Sequence, residues 1–141
     1  MQAAVAKLFG GFNKKLDENI NRVFFSLGIP ACINGYFYMR EAIKIIVLER
    51  GFGDGITKRV YPGVAKKFNT TPGKVERSIR HAIEVGFNRG RIDKINSLFQ
   101  ITAFLPKEKP TNGEFIAFLA EQMLLVHYDE LEELRALYGT A

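Results

Sequence analysis

Apolar residues recur along this chain at intervals of three and four, which is the spacing of helices with one buried face. The first series predicts a helix that ends before Gly28 and Pro30, and the second predicts a helix from about Gly35 to Arg50. The buried stripes consist of Leu16, Ile20, Val23, Phe24 and Leu27 in the first helix and of Tyr36, Met39, Ile43, Ile46 and Val47 in the second. We expect the first helix to pack and not to bind.

The helical pattern continues in the second half of the chain. A short helix is outlined by four apolar residues, Ile92, Ile95, Leu98 and Phe99. Thr111 and Glu114 have the spacing of a capping box, which predicts the start of a long final helix. The chain is thus expected to fold as an all-α, compact bundle of about six helices, in a single domain that spans residues 1–141.

The tail from Tyr128 to Tyr138 is amphipathic and acidic. It contains Leu131, Leu134 and Leu137 at helical spacing, with Asp129, Glu130, Glu132 and Glu133 between and beside them. Neither His127 nor Tyr128 is a Gly or Pro that would force a reversal, so the tail is predicted to continue the final helix. Its leucine stripe can be covered by its own domain or by the same tail of a second chain. We expect the second arrangement, a homodimer.

The segment from Tyr61 to Glu84 is the most informative part of the chain, because it predicts two short helices that meet at a sharp turn. The packed face of the first helix consists of Val64, Ala65 and Phe68. Asn69 tolerates the left-handed turn conformation, Thr71 can cap the second helix, and Pro72 suits its first turn. This pattern is a helix-turn-helix, which is typical of DNA-binding proteins.

The second helix of this pair has two chemically different faces when its residues are placed about 100° apart. The packing face consists of Val75, Ile79, Ala82, Ile83 and Gly86, and the other face of Arg77, Arg80, His81, Glu84 and Asn88. Such a charged face is most often simply solvated. Here, however, nine of the chain's 20 Lys and Arg residues lie between Lys58 and Arg91, against only two acidic residues. This local excess favours double-stranded DNA as the partner.

Arg77 and Arg80 are the strongest candidates for reading bases, because a guanidinium offers two parallel donors to the O6 and N7 atoms of guanine. Glu76 lies near the start of the same helix and has two interpretations. Its carboxylate can interact favourably with the helix dipole, or it can accept a hydrogen bond from cytosine N4.

At these residues the sequence resembles a known family. The strings VERSIRHAIEV, INSLF and KPTNGEFIA stand in the order that is typical of the C-terminal effector domain of the master sporulation response regulator of endospore-forming bacteria, stage zero sporulation protein A. The resemblance covers about residues 20–125. It implies an all-helical domain that binds short boxes upstream of sporulation promoters, often as a head-to-tail pair, and that touches a sigma subunit of RNA polymerase.

Carried over position by position, the resemblance implies Glu76, Arg77 and Arg80 as base readers, with His81 adjoining the DNA. The basic residues that either touch phosphates or keep the domain soluble are Lys58, Lys66, Lys67, Lys74, Arg89 and Arg91, and Lys109 is expected to reach a phosphate from the loop before the final helix. The implied contacts to the sigma subunit are Arg91, Asp93, Lys94 and Asn96. The chain departs from the family at Gly73, Ser78 and Phe87, where the family commonly has a small polar residue, an alanine and a tryptophan.

Composition sets the remaining limits. A chain of 141 residues with 47% apolar content suits one globular domain, and no apolar run approaches the roughly 20 residues needed to cross a bilayer. Because the amino terminus also lacks a signal-peptide pattern, we expect a cytoplasmic protein. Cys32 is the single cysteine, so it can form no internal disulfide, and it is expected to be a small buried residue beside Pro30.

Two other functions compete with DNA binding. Catalysis lacks support, because His81 and His127 are far apart in sequence, Cys32 has no visible base, and neither a cofactor motif nor metal-ligand spacing is found. The other is a protein-interaction module that antagonises or modulates a full-length sporulation regulator. It remains an alternative because nothing in the chain resembles the phosphoacceptor receiver domain that precedes this effector in the family, so that the chain is an excised piece or a receiverless relative.

Overall fold

The computed structural model describes residues 2–49, 55–89, 94–99 and 108–138. These residues form α-helices and no strand, which confirms the predicted all-α fold. The helices are α1 (Gln2–Ser26), α2 (Asn34–Glu49), α3 (Tyr61–Phe68), α4 (Pro72–Asn88), α5 (Lys94–Phe99), α6 (Asn112–Val126) and α7 (Tyr128–Tyr138). A π-helical turn, Ile56–Val60, leads directly into α3. None of the described helices combines the length and the apolar character needed to span a bilayer.

Helix α2 lies at the centre of the bundle and packs against α1, α3, α4 and α6. Every residue of its predicted stripe is buried, namely Tyr36, Met39, Ile43, Ile46 and Val47. Because α2 contacts four other helices through its buried stripe and the positions beside it, this helix organises the core. The helix-turn-helix is therefore mounted on α2 rather than on a flexible loop.

Charged side chains join α1 to α2 at the edge of this core. Lys44 Nζ lies 3.0 Å from Asp17 Oδ1, and Arg40 Nη1 donates to Asn21 Oδ1 at 3.0 Å. Lys44 is buried, so loss of the Asp17 carboxylate would leave its ammonium group without this partner in a poorly solvated place. The two contacts fix the register of α1 against α2.

The predicted helix-turn-helix is confirmed in its local geometry. Helix α3 is followed by Asn69, which has φ 53° in the left-handed region, and Thr70 N donates to Ala65 O at 2.9 Å to close the turn. Thr71 Oγ1 accepts a hydrogen bond from Lys74 N at 3.3 Å, and Pro72 occupies the first turn of α4. The turn and cap signals therefore have their expected partners, whereas Phe68, predicted on the packed face of α3, is 37% exposed.

The expectation that the final helix continues into the tail is wrong. Helix α6 ends at Val126, and His127 has φ −105° and ψ 21°, so the chain bends there before α7 begins. The His127 ring is 2% exposed and lies 3.0 Å from Asn19 Nδ2 of α1, with Glu130 Oε1 3.1 Å from its other nitrogen. These side-chain contacts turn the chain without a Gly or Pro.

The bend directs the leucine stripe of the tail onto α1 of the same chain. Leu131 and Leu134 are buried, and α7 packs against α1. Leu131 and Leu134 are thus covered within the domain while Leu137 is 40% exposed, which removes the main reason for expecting a homodimer through this tail. The capping box that starts α6 is confirmed, because Thr111 Oγ1 accepts from Glu114 N and Glu114 Oε1 accepts from Thr111 N.

Three further expectations have different outcomes. Cys32 is exposed, contrary to the expectation of burial, because it lies in the turn between α1 and α2 and not within a helix stripe. Of the residues that outline the short helix after α4, Ile95, Leu98 and Phe99 lie in α5, whereas Ile92 is outside the described residues. Arg50, predicted as the end of the second helix, is also outside them.

Candidate nucleic-acid interface

Helix α4 presents the two faces that its sequence predicts. The five residues of its packing face, Val75, Ile79, Ala82, Ile83 and Gly86, are buried against α2, α3 and α6. On the opposite face Arg77, Arg80 and His81 are exposed, and Glu84 is half-buried. The polar side chains of about three helical turns are therefore held outward by a fixed apolar base, as a reading helix requires.

Two of the predicted base readers are bonded to each other. Arg80 Nη1 donates to Glu76 Oε1 at 2.5 Å, one helical turn away. An ion pair at this spacing restricts the rotamers of both side chains. Because a guanidinium has five N–H donors, the bond through Nη1 leaves others to meet a base edge. Glu76 can thus orient Arg80 as well as accept a hydrogen bond itself.

Arg77 and His81 lie beside the start of α2. Together with Ile33, Asn34, Gly35 and Ser78 they line a shallow depression of about 290 Å³. A Cβ atom added at Gly73 would lie 3.3 Å from Arg77 Nη1, so a side chain at that position would restrict the arginine. Glycine at position 73 therefore leaves Arg77 less confined than a larger residue would.

Four lysines predicted to contact phosphates lie on the elements that lead into α4. Lys58 lies in the π-helical turn, Lys66 and Lys67 in the last turn of α3, and Lys74 in the first turn of α4; all four are exposed. Lys67 Nζ bonds to Glu41 Oε2 of α2 at 2.7 Å. Four of the predicted phosphate contacts are therefore exposed on the elements that precede and begin α4.

Lys109 approaches α4 from the segment before α6. Its Nζ donates to Glu84 Oε1 at 2.8 Å, and this hydrogen bond together with the lysine charge lowers the pKa of the Glu84 carboxyl below its ordinary value. A residue far along the chain is therefore placed on the outer side of the reading helix. In the free protein the Lys109 ammonium group is paired with the Glu84 carboxylate.

Arg89 has a different environment from the other candidates. Its Nη1 donates to Gly28 O at 3.0 Å in the turn after α1. The bond ties the end of α4 to the α1–α2 turn, where Gly28 has φ 76°. Arg89 therefore contributes to the packing of α4, and its remaining donors are the ones available to a phosphate.

Sequence reasoning missed Tyr61 and Asn112, which stabilise the start of α4 from behind. Asn112 Nδ2 donates to Tyr61 Oη at 3.1 Å and to Glu76 O at 3.0 Å. Burial raises the pKa of the Tyr61 phenol, while the hydrogen bond from Asn112 acts in the opposite direction. No local pattern could have revealed these bonds, because the partners are 51 and 36 residues apart.

The predicted sigma contacts are only partly described. Arg91 and Asp93 lie outside the described residues, and so does the side chain of Lys94, whose backbone begins α5. Asn96 is half-buried on α5 beside the buried Ile95. Within the described part of the chain no group of three or more His, Cys, Asp and Glu residues is placed to hold a metal ion.

A short helix, a left-handed turn and a second helix with outward arginines define a helix-turn-helix domain of the DNA-binding class. The chain belongs to the family described as Sporulation initiation factor Spo0A C terminal, whose sequence model matches residues 20–123. The match runs from the last two turns of α1 into α6 and includes the whole helix-turn-helix. This is a family of DNA-binding effector domains that regulate transcription in sporulation, and not a family of enzymes.

Proposed function

We propose that this chain is a sequence-specific DNA-binding domain of a transcription factor that regulates sporulation-type promoters, with α4 inserted in the major groove. The observation that carries the proposal is the outward face of α4, where Arg77, Arg80 and Glu76 lie on a rigid helix. An α-helix fits the major groove, where base edges differ in their donors and acceptors. Such a factor acts where the chromosome is, in the cytoplasm.

The roles within this face follow from the donors that each side chain presents. Arg77 and Arg80 bind guanine edges through paired N–H groups, and Glu76 both orients Arg80 and accepts from cytosine N4. His81, one turn beyond Arg77, adjoins the DNA at the side of α2. Arg80 keeps its bond to Glu76 while another donor meets the base.

The phosphate contacts are proposed on both sides of the reading helix. Lys66, Lys67 and Lys74 flank the turn before it, Lys58 precedes them, and Lys109 lies at its outer side. In the free protein Lys67 and Lys109 are each paired with a carboxylate, so a phosphate must replace Glu41 and Glu84 as the partner. Arg89 is proposed as a secondary contact, since it already holds Gly28.

For the polymerase, the proposed contact is the sigma subunit through the segment that contains Arg91, Asp93, Lys94 and Asn96. In the described part of this segment, the six-residue α5 has Ile95 in the core and Leu98 46% exposed. This arrangement supports a contact surface on the outer side of α5.

The experiment that tests the function is selection of bound duplexes from a randomised library, followed by affinity titration of the enriched box and a scrambled version. We expect the selection to give a short consensus box, which the protein binds more tightly than the scrambled duplex. The logarithm of the affinity should fall with the logarithm of the salt concentration at a slope of about −0.9 per neutralised phosphate, for roughly four to six phosphates. Failure to enrich any consensus, or a flat salt response, would remove this function.

The alternative is a protein-interaction module that modulates another sporulation regulator. It is favoured by the part of the chain outside the family match, where Leu125, Val126 and Tyr128 are all more than half exposed at the α6–α7 bend. This module predicts binding to a protein partner without a preferred DNA box. The same library selection therefore separates the two proposals.

A further inference from the structure

Asn112 connects three helices through one side-chain amide. It is the first residue of α6, directly after the capping residue Thr111. Its Nδ2 donates to Tyr61 Oη, at the start of α3, and to Glu76 O in the first turns of α4. A backbone carbonyl can only accept, so the amide nitrogen and not the oxygen must face Glu76. Both amide protons are thereby used to join the helix-turn-helix to α6.

The position of this bridge on α4 gives it a specific consequence. The carbonyl that it holds belongs to Glu76, whose side chain pairs with Arg80. Asn112 thus fixes the backbone at the residue that orients a proposed base reader. Tyr61 is 6% exposed, so most of its side chain is packed within the domain.

The same segment contacts α4 a second time. Lys109 bonds to Glu84, which lies eight positions beyond Glu76 and therefore about 12 Å farther along the helix axis. Residues 109–112 contact α4 at two points about two turns apart, in addition to the packing of α4 on α2 and α3. The contact of Lys109 with Glu84 is exposed, so a phosphate can replace Glu84 as the partner of Lys109. The contact of Asn112 with the Glu76 carbonyl is partly buried, and a phosphate cannot replace that carbonyl as a hydrogen-bond partner within the domain.

We propose that Asn112 is a positioning residue that sets the register of α4 in the major groove, and so determines base preference, without touching DNA. The inference rests on the proposed function. Bidentate contacts to base edges depend on placement within about 0.5 Å, so a small shift of α4 weakens them while phosphate contacts through flexible lysines persist. Loss of the bridge therefore lowers sequence discrimination more than it lowers affinity for DNA in general.

The test compares Asn112→Ala, which removes both bonds, with Tyr61→Phe, which removes one and leaves the bond to Glu76. Thr111→Ala is the matched control, because it weakens the capping box of α6 one residue away but leaves both bonds of Asn112 in place. Titrations measure the affinity of each variant for the selected box and for its scrambled version. Thermal unfolding by circular dichroism confirms that each variant is folded at the assay temperature.

We expect Asn112→Ala to reduce the ratio of the two affinities about tenfold, which corresponds to about 1.4 kcal/mol, with little change for the scrambled duplex. Tyr61→Phe should reduce the ratio less, and Thr111→Ala should leave it unchanged even though it lowers the unfolding temperature. The inference is overturned if Asn112→Ala and wild type have equal affinity ratios. It is also overturned if Thr111→Ala lowers the affinity ratio as much as Asn112→Ala does, because that result would indicate general destabilisation.

A measurement without DNA tests the bridge itself. NMR titration of ¹³C-labelled tyrosine reports the pKa of Tyr61, and loss of the donor in Asn112→Ala should raise that pKa further, whereas Thr111→Ala should leave it unchanged. An unchanged Tyr61 pKa in Asn112→Ala overturns the bridge.

If wild type shows no preferred box, the proposed function fails and the positioning role with it. If wild type discriminates and Asn112→Ala does so equally, the positioning role alone fails.

Discussion

Gly35 of α2 and Ser78 of α4 approach each other so closely that the backbones of the two helices are in contact. A Cβ atom added at Gly35 would lie 2.1 Å from Ser78 O and 2.8 Å from Ala82 Cβ. Only glycine fits this crossing, because the obstructing atom is backbone and cannot rotate away. Helix α4 is therefore held by α2 at the turn that contains Arg77 and Arg80.

Gly35→Ala is expected to force α2 and α4 apart and to lower the free energy of unfolding by about 1–3 kcal/mol, as overpacking does. Gly10→Ala in α1 is the control, since a Cβ there meets nothing within 4 Å and alanine favours a helix by about 0.5–1 kcal/mol over glycine. Urea denaturation measures both variants. Equal stability of the two would show that the crossing is not as tight as described.

Arg77→Ala and Arg80→Ala are expected to reduce discrimination between the selected box and a scrambled duplex by about 1–3 kcal/mol each. Lys66→Ala should instead weaken binding to both duplexes equally, because it removes a proposed phosphate contact and no proposed base contact. Paired binding titrations measure the ratios. If the arginine variants lose affinity for both duplexes in equal proportion, they contact phosphates and do not read bases.

Glu84→Gln is expected to increase affinity for every duplex about two- to fivefold, because it releases Lys109 from its carboxylate partner. Since Lys109 lowers the pKa of Glu84, the pair is intact at neutral pH and is lost only as the pH falls through that lowered value. The gain should therefore be constant between about pH 6 and 8. In a background that already contains Lys109→Ala, Glu84→Gln should no longer increase the affinity. An increase of the same size in that background would contradict the release of Lys109.

Leu134→Ala is expected to lower the free energy of unfolding by about 2–5 kcal/mol, because it opens a cavity between α7 and α1. Leu137→Ala on the same helix should change it by less than about 0.5 kcal/mol, since this leucine is 40% exposed. Thermal and urea unfolding measure both. A matching small effect of the two variants would mean that α7 does not cover α1 in solution.

Features set by neighbouring residues could be predicted from the sequence. Asn69 in the left-handed region, Thr71 as a cap and the two faces of α4 depend on local geometry, and all were found as expected. The bend at His127 could not be predicted, because it depends on Asn19, which is 108 residues away. The Asn112 bridge was missed for the same reason, and the exposed Cys32 because a turn residue has no periodic pattern to place it.

The pairing of α1 with α7 also determines the order in which the protein can complete its fold during synthesis. Phe12 and Leu16 are fully buried in the finished domain, and α7 packs on the same helix that contains them. The ribosome makes α1 long before α7, so part of this apolar surface stays uncovered while the rest of the bundle assembles. Closure of so long a loop is a late step, and a chain stalled before α7 should be a target for chaperones.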